Sequence, residues 1–184
     1  MIAAAGFFIQ ENWETIISLI RITGLSVRWK AEVKKMARLE YRLLDEANGY
    51  PVLFYYERID KDEVSLRFAC DYLVKGHVVY EKTSCAVEPS CYVVYVKRST
   101  EEQAVDYAHT ASARWGSIQI ELRHFREGTT TYPLVHTFYC KDDDDALLYL
   151  QSNYLMHDGQ EWEKTSAEVD EDRRVYVYYA QPTL

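Results

Sequence analysis

The chain has 184 residues, of which 48% are hydrophobic and 27% charged, and its formal net charge is −8 at pH 7. This length and composition are typical of one soluble globular domain with its own hydrophobic core. The acidic balance excludes the basic surface that binding to a nucleic-acid backbone requires, so no nucleic-acid partner is expected.

The first 35 residues differ from the rest of the chain. Their two apolar runs, Ile2–Ile9 and Ile16–Ile20, are too short for a membrane-spanning helix, and they show no secretory signal pattern. Ala31–Met36 can be encoded by GCG-GAG-GTG-AAA-AAA-ATG, which holds a purine-rich bacterial ribosome-binding site just before an ATG codon. We therefore predict that Met36 is the natural start and that residues 1–35 are a translated leader outside the fold. The alternative is an amphipathic helix for a membrane surface or a partner groove.

From Tyr50 onward, the second half of the chain repeats the first. A shift of 82 positions aligns Tyr50–Val96 with Tyr132–Tyr178 without a gap. The longest run of identical residues is Glu81–Ser84, which falls on Glu163–Ser166. Self-similarity at one fixed spacing indicates a duplicated supersecondary unit.

The first unit, residues 36–98, has the predicted order β-β-α-β-β. Asn48-Gly49 is a hairpin turn signal, and Asp60 with Glu63 forms a capping box that opens a helix. The expected elements are strands at Leu39–Leu43 and Val52–Arg58, a helix from Asp60 to Lys75-Gly76, and strands at His77–Ser84 and Cys91–Lys97.

The second unit, residues 117–184, repeats this order. Four consecutive aspartates at Asp142–Asp145 suit the positive end of a helix dipole, and Gly159 is expected to stop that helix. The expected elements are strands at Ile118–Phe125 and Pro133–Cys140, a helix from Asp142 to Met156, and strands at Gln160–Val169 and Arg173–Ala180.

Residues 99–116 join the units and are predicted to form a further helix, because Ser99 and Glu102 make another capping box. The predicted fold class is α+β, a tandem duplication of a ββαββ unit. Short hairpins make its sheet mainly antiparallel, with the helices on one face. A single unit of about 65 residues is marginal alone. We therefore expect residues 36–184 to form one compact domain about a pseudo-two-fold axis.

The four cysteines show no metal-ligand spacing. Cys85 and Cys91 flank a predicted turn and could meet across two strands, but their counterparts in the repeat are Ala167 and Arg173. We therefore expect reduced thiols and a cytoplasmic location.

The best-kept segment of the repeat is an aromatic residue followed by Glu-Lys-Thr-Ser. In one interpretation, the two copies grip one symmetric ligand or partner. In the other, which we favour, they are strand residues that add only weak cross-strand contacts. The candidate binding residues are Tyr80, Glu81, Lys82, Thr83, Trp162, Glu163, Lys164 and Thr165.

The five histidines have no metal-binding spacing. His124 and His136 fall on neighbouring predicted strands and are a candidate pair for a ligand pocket. Asp142–Asp145 is a compact helix start, unlike the spaced ligands of a calcium loop. No phosphate-binding loop or nucleophile motif is present in the sequence, so no catalytic residue, metal or cofactor is expected.

These features favour a small cytoplasmic protein that is not an enzyme and serves as a protein-binding or regulatory module. Many of the 16 tyrosines alternate along predicted strands, which we take mainly as packing of the sheet. The alternative is a tyrosine-rich surface that, like exposed sheet edges, binds another protein or a second copy. The alternative is a small-molecule-binding protein or enzyme with a pocket at the seam between the units. No membrane partner is expected unless residues 1–35 belong to the natural protein.

Overall fold

The computed structural model describes residues 36–100, 102, 104 and 118–183, all within the unit Lys34–Leu184. The predicted leader and most of the predicted connecting helix therefore lie outside the described residues. The strands are β1 (Met36–Leu43), β2 (Val52–Asp60), β3 (Tyr72–Lys75), β4 (Val78–Val87), β5 (Tyr92–Arg98), β6 (Ile118–His124), β7 (Leu134–Cys140), β8 (Tyr154–His157), β9 (Gln160–Asp170) and β10 (Val175–Pro182). The helices are α1 (Lys61–Ala69) and α2 (Asp143–Gln151), with a short 3-10 turn at Glu46–Asn48.

The ten strands form one mixed sheet in the order β2-β1-β5-β4-β3-β9-β10-β6-β7, and β8 pairs with β9 beside this path. Six of the pairings are antiparallel. Three are parallel, namely β1 with β5, β6 with β10, and β3 with β9. The predicted α+β class and mainly antiparallel sheet are confirmed.

The predicted helices were too long at their C-terminal ends. Helix α1 stops at Ala69 and α2 at Gln151, and the next residues form the short strands β3 and β8. Each half therefore contains five strands and one helix, not the predicted ββαββ. The physical reason lies in the turns after β3 and β8, where consecutive residues have positive φ (Gly76 60° and His77 61°; Asp158 49° and Gly159 77°). This conformation closes a two-residue hairpin and does not cap a helix.

The N-termini of both helices follow the sequence prediction. The Asp60 side chain accepts a hydrogen bond from the Asp62 N–H, and the Asp142 side chain accepts one from the Asp145 N–H. Such caps satisfy N–H groups that have no partner within the helix. At the start of the predicted connecting helix, the Glu102 N–H donates to Ser99 Oγ at 3.0 Å. Most of the residues that follow, up to 117, lie outside the described residues.

Both helices pack on one hydrophobic cluster. Val64 and Leu66 of α1 and Ala146 and Leu150 of α2 share it with alternate residues of the central strands, such as Tyr178. A smaller cluster of Tyr132, Val175, Val177 and Tyr179 lies on the other face of β10, because successive strand residues point to opposite faces. Neither helix of the described residues has the length or apolarity needed to cross a membrane.

The two halves of the sheet meet where β3 runs parallel to β9, over three residue pairs. The turn after β9 reinforces this junction, because the carboxylate of Glu171 accepts hydrogen bonds from Tyr56, Arg67 and Lys75 of the first half. Burial alone would raise the pKa of the Glu171 carboxyl, but Arg67, Lys75 and Tyr56 hold it below its usual value. Next to it, Asp172 accepts hydrogen bonds from the N–H groups of Gly76 and His77.

We predict that Glu171→Gln lowers the free energy of unfolding by about 3 kcal/mol, because it leaves the buried Arg67 without its main counter-charge. Urea unfolding followed by circular dichroism measures the change. The matched control is Glu81→Gln, which breaks an exposed pair with Lys97 and should cost less than about 1 kcal/mol.

The same variant tests the pH dependence. Because the folded-state pKa of Glu171 is lowered, its stabilisation is present above the unfolded pKa and disappears as the pH falls through the folded value. The stability of the native chain should therefore fall more steeply on acidification than that of the Gln variant. Parallel acid profiles would contradict this assignment.

Candidate functional site

The aromatic residues that open the two repeated Glu-Lys-Thr-Ser segments are buried in the core. Tyr80 is 4% exposed and its ring lies 5.4 Å from that of Phe54. Trp162 is 9% exposed and its ring lies 5.4 Å from the ring of His124. Both contacts are edge-to-face, the usual arrangement of packed aromatic rings.

The lysines of these segments bind the C-terminal ends of the two helices. Lys82 Nζ donates to the carbonyl oxygen of Phe68 in α1 at 2.6 Å, and Lys164 Nζ donates to that of Leu150 in α2. Carbonyl groups in the last turn of a helix have no partner within the helix and carry the negative end of its dipole. The two lysines therefore have the same structural contact in both halves.

The threonines mark a β-bulge in each half. The pairing register shifts between Lys82 and Ser84 on β4, and again where Lys164 and Ser166 on β9 pair with β10. At each shift the Thr hydroxyl bridges to the facing strand, from Thr83 to the Tyr95 carbonyl (3.0 Å) and from Thr165 to the Tyr179 carbonyl (3.1 Å). The glutamates make surface contacts, Glu81 with Lys97 at 3.0 Å and Glu163 with the Tyr154 hydroxyl at 3.4 Å.

The two candidate histidines contact other rings. His124 lies beside Trp162, and its pKa is lowered by burial and by the nearby charge of Arg126. His136 stacks on His157, with ring centroids 4.2 Å apart. The sequence placed these two histidines in a pocket between the two halves. Neither of them lines the cavity that lies there.

A cavity of about 190 Å³ does lie at the seam, on the sheet face opposite the helices. Its described walls come from strands β3 and β4 of the first half, strands β9 and β10 of the second, the segment between β6 and β7, and residues 102 and 104. Four of its lining residues are aromatic, namely Tyr72, Phe125, Tyr132 and Tyr179. Three carry carboxylates, namely Glu102, Glu168 and Asp170, and two carry aliphatic hydroxyls, namely Thr165 and Ser166.

Glu168 is the most unusual group in this cavity. It is 8% exposed, and its one hydrogen bond from the described residues comes from the Tyr179 hydroxyl to Oε1 at 3.2 Å. Burial, with a further contribution from the charge of Asp170, raises the pKa of the Glu168 carboxyl to about 7. A strongly shifted carboxyl in a cavity is a common mark of a functional site.

Asp170 differs because its charge is balanced. Arg173 Nε lies 2.6 Å from Asp170 Oδ2, and Arg173 Nη1 lies 2.9 Å from Glu121 Oε2. Glu121 in turn contacts Arg123 at 2.7 Å. This buried chain of alternating charges fixes Asp170, whereas no basic side chain pairs with Glu168 in the described part of the chain.

A second cavity, of about 400 Å³, lies on the helix side of the seam. Its lining includes Arg67, Glu63 and Glu171, and the guanidinium of Arg67 donates hydrogen bonds to both carboxylates. Its charged residues therefore largely satisfy each other, and it points to a ligand less directly than the cavity around Glu168.

One group of carboxylates could hold a metal ion. Oxygens of Asp60, Asp62 and Asp143 lie within 4.8 Å of one another, where the two helices begin. Acidic side chains at helix N-termini are favoured by the dipole and by capping without any ion. The cluster is therefore explained by helix structure.

Sequence analysis missed the residues that form the seam cavity, apart from Thr165. The shift of 82 positions places Glu168 on Ala86, so an acidic residue stands where the other half has alanine. This difference between the halves could have pointed to the cavity, but it lies outside the identical segments Glu81–Ser84 and Glu163–Ser166.

We predict that Lys164→Met and Lys82→Met each lower the free energy of unfolding by about 1–2 kcal/mol, because each leaves a helix carbonyl without its charged donor. Methionine keeps the length of the side chain. Chemical denaturation measures the loss, with the exposed Lys97→Met as control. Unchanged stability in both variants would exclude a capping role.

The comparisons with known proteins do not suggest a function for the seam cavity. No protein family model, curated protein or solved structure matches this chain.

Proposed function

We propose that this protein is a non-enzymatic binding protein whose seam cavity takes a small ligand. The observation that carries the proposal is the nearly buried carboxyl of Glu168, which opens on an aromatic-walled cavity without a balancing cation from the described residues. Burying such a group costs free energy unless something compensates for it. A bound ligand would supply that compensation.

The lining favours binding over catalysis. Among its described residues, the cavity has hydroxyls at Thr165 and Ser166 but no histidine, cysteine or lysine. Nucleophilic catalysis by a hydroxyl needs a base that accepts its proton, and the Thr165 hydroxyl donates to a backbone carbonyl instead of to Glu168 or Asp170. These observations support a binding role.

A second proposal, a protein-binding role, has separate support in strand β7. This strand lies at one end of the sheet order and contains no charged residue. Leu134 and Tyr139 on it are 45% and 46% exposed. An uncharged edge strand can pair with another chain, and we propose a second copy of this protein as that partner.

We also infer that the two halves derive from one duplicated unit. Helix α2 lies 82 positions after α1 at both ends, and β8 lies 82 positions after β3. The bulges at Thr83 and Thr165 and the lysine contacts with both helices recur at the same shift. Independent origins would not reproduce these irregular features together.

The strand pairing corrects the gapless alignment of the repeat. Four residues, 88–91, separate the paired Val87 and Tyr92, whereas six residues, 170–175, separate the paired Val169 and Tyr176. The second turn is thus longer by two residues, and Val93 corresponds to Val177 instead of Val175. The symmetry between the halves is also incomplete, because β3 pairs with β9 but β8 does not pair with β4 among the described strands.

The cytoplasmic location is a proposal as well. All four cysteines, Cys70, Cys85, Cys91 and Cys140, are free thiols, and Cys85 lies opposite Val94 instead of Cys91. Unpaired thiols are typical of proteins in a reducing compartment.

We predict that Ser166→Phe abolishes binding of small molecules at the seam, because a larger side chain fills the cavity that Ser166 lines. The test is ligand-observed NMR with a panel of small cationic, neutral and anionic aromatic compounds. The control is Ser84→Phe, the same substitution at the matching position outside the cavity. If no compound binds, or if both variants bind like the native chain, the proposed function is wrong.

We predict that any self-association depends on β7. Thr137→Lys places a charge in the middle of this edge strand, which opposes strand pairing between copies. Size-exclusion chromatography with light scattering should show a dimer for the native chain and a monomer for the variant. A native chain that stays monomeric at all concentrations would contradict the proposal of a second copy.

A further inference from the structure

We infer that the ligand of the seam cavity is a small organic cation, an ammonium or guanidinium group attached to an apolar or aromatic body. This inference rests on the proposed function and names the chemical class that the cavity would select. It follows from the charges of the lining, from its rings and from its size.

The charges of the cavity lining favour a cation. Of the three lining carboxylates, Asp170 is held by Arg173, with Nε and Oδ2 2.6 Å apart. From the described residues, Glu168 accepts one hydrogen bond, on Oε1, and the Tyr132 hydroxyl lies 3.5 Å from Glu102 Oε1. Among the described lining residues there is no lysine, arginine or histidine. The described lining therefore presents two carboxylates, Glu102 and Glu168, that no basic side chain of the described residues pairs with, and this excess negative charge would repel an anion.

The aromatic walls of the cavity also favour a cation. Four aromatic rings surround the carboxylates, and they come from β3, β10 and the segment between β6 and β7. The electron-rich faces of such rings attract cations, most strongly where water is excluded. Phe125 stacks on Tyr132 with centroids 5.3 Å apart, and Tyr132 packs edge-on against Tyr179 at 5.2 Å. These contacts hold three of the rings in place before any ligand arrives.

The size of the cavity limits the ligand to a small molecule. The cavity volume of about 190 Å³ is below the range of roughly 300–1,000 Å³ that holds drug-sized ligands. A single charged group on a short chain or one ring fits this space. Hydroxyls at Thr165 and Ser166 add oxygens that can accept hydrogen bonds from the donors of an ammonium group.

Binding of a cation at Glu168 should depend on pH. Besides the acidic Asp170 and Glu102, the groups around Glu168 are the Tyr179 hydroxyl, Tyr72 on β3, and Arg173, whose charge is shared with Asp170 and Glu121. With a pKa of about 7, the Glu168 carboxyl is half protonated in the empty protein at neutral pH. A cation favours the ionised form, so its binding displaces the proton and becomes tighter as the pH rises.

The test uses three probes of nearly equal shape: benzylamine, benzyl alcohol and benzoate. Dissociation constants are measured by NMR titration of the full chain at about pH 6 and about pH 8, a range in which benzylamine stays charged. We expect benzylamine to bind best and to bind about tenfold more tightly at the higher pH, following the ionised fraction of Glu168.

Two variants assign the effect to the carboxylates. Glu168→Gln keeps the size of the side chain and should weaken benzylamine about tenfold or more while removing the pH dependence. Glu102→Gln should weaken it while leaving the pH dependence in place. The control, Glu161→Gln, removes the same charge from an exposed site on β9 outside the cavity and should bind like the native chain.

The outcomes separate this inference from the proposed function. If benzyl alcohol or benzoate binds as well as benzylamine, and Ser166→Phe blocks it, the cavity binds a ligand but the cation inference is wrong. Unchanged benzylamine binding in Glu168→Gln would also overturn it. If none of the three probes binds and a neutral or anionic compound of the panel does, only the cation inference fails. Binding of another cation of the panel alone, lost in Glu168→Gln, supports the inference. If nothing in the panel binds, both are wrong.

Discussion

The carboxylate of Glu171 makes the most hydrogen bonds between the two halves of this sheet among the carboxylates at their junction. Strands β3 and β9 share only three residue pairs, which is a short contact for a ten-stranded sheet. Glu171 lies just beyond them and collects Tyr56, Arg67 and Lys75 from three separate elements of the first half. Because a half-buried charge must be balanced, this cluster fixes the position of α1 and β2 relative to β9. Both seam cavities depend on that position, since each has walls from both halves.

Much of the fold could be predicted from the sequence. The alternation of apolar residues located the long strands, and the capping aspartates located the start of each helix. Sequence reasoning failed at the ends of the helices, because Lys75-Gly76 and Asp158-Gly159 fit both a helix stop and a two-residue hairpin. The choice between them depends on β4 and β9, whose edges pair with β3 and β8. Such pairing is a tertiary contact that local propensity does not contain.

The candidate site was far less predictable. The identity of Glu81–Ser84 with Glu163–Ser166 drew attention to a segment whose lysines and threonines hold the helices and bulges in place. The proposed duplication would keep the residues that maintain the geometry of each unit, so similarity between the halves points to structure. The cavity instead depends on Glu168, where the halves differ. Its raised pKa comes from burial, which appears only when the two halves are packed together.

The long turn after β9 also bears on how the chain folds during synthesis. The contacts of Glu171 with Arg67 and Tyr56 span 104 and 115 residues, whereas strands β1 to β5 pair with one another within the first half. We therefore expect the first half to form while the second is still being made. Until β9 leaves the ribosome, the outer edge of β3 has no strand to pair with. An unpaired edge invites pairing with other chains, so the newly made protein is most prone to aggregate at the place where the finished one is joined.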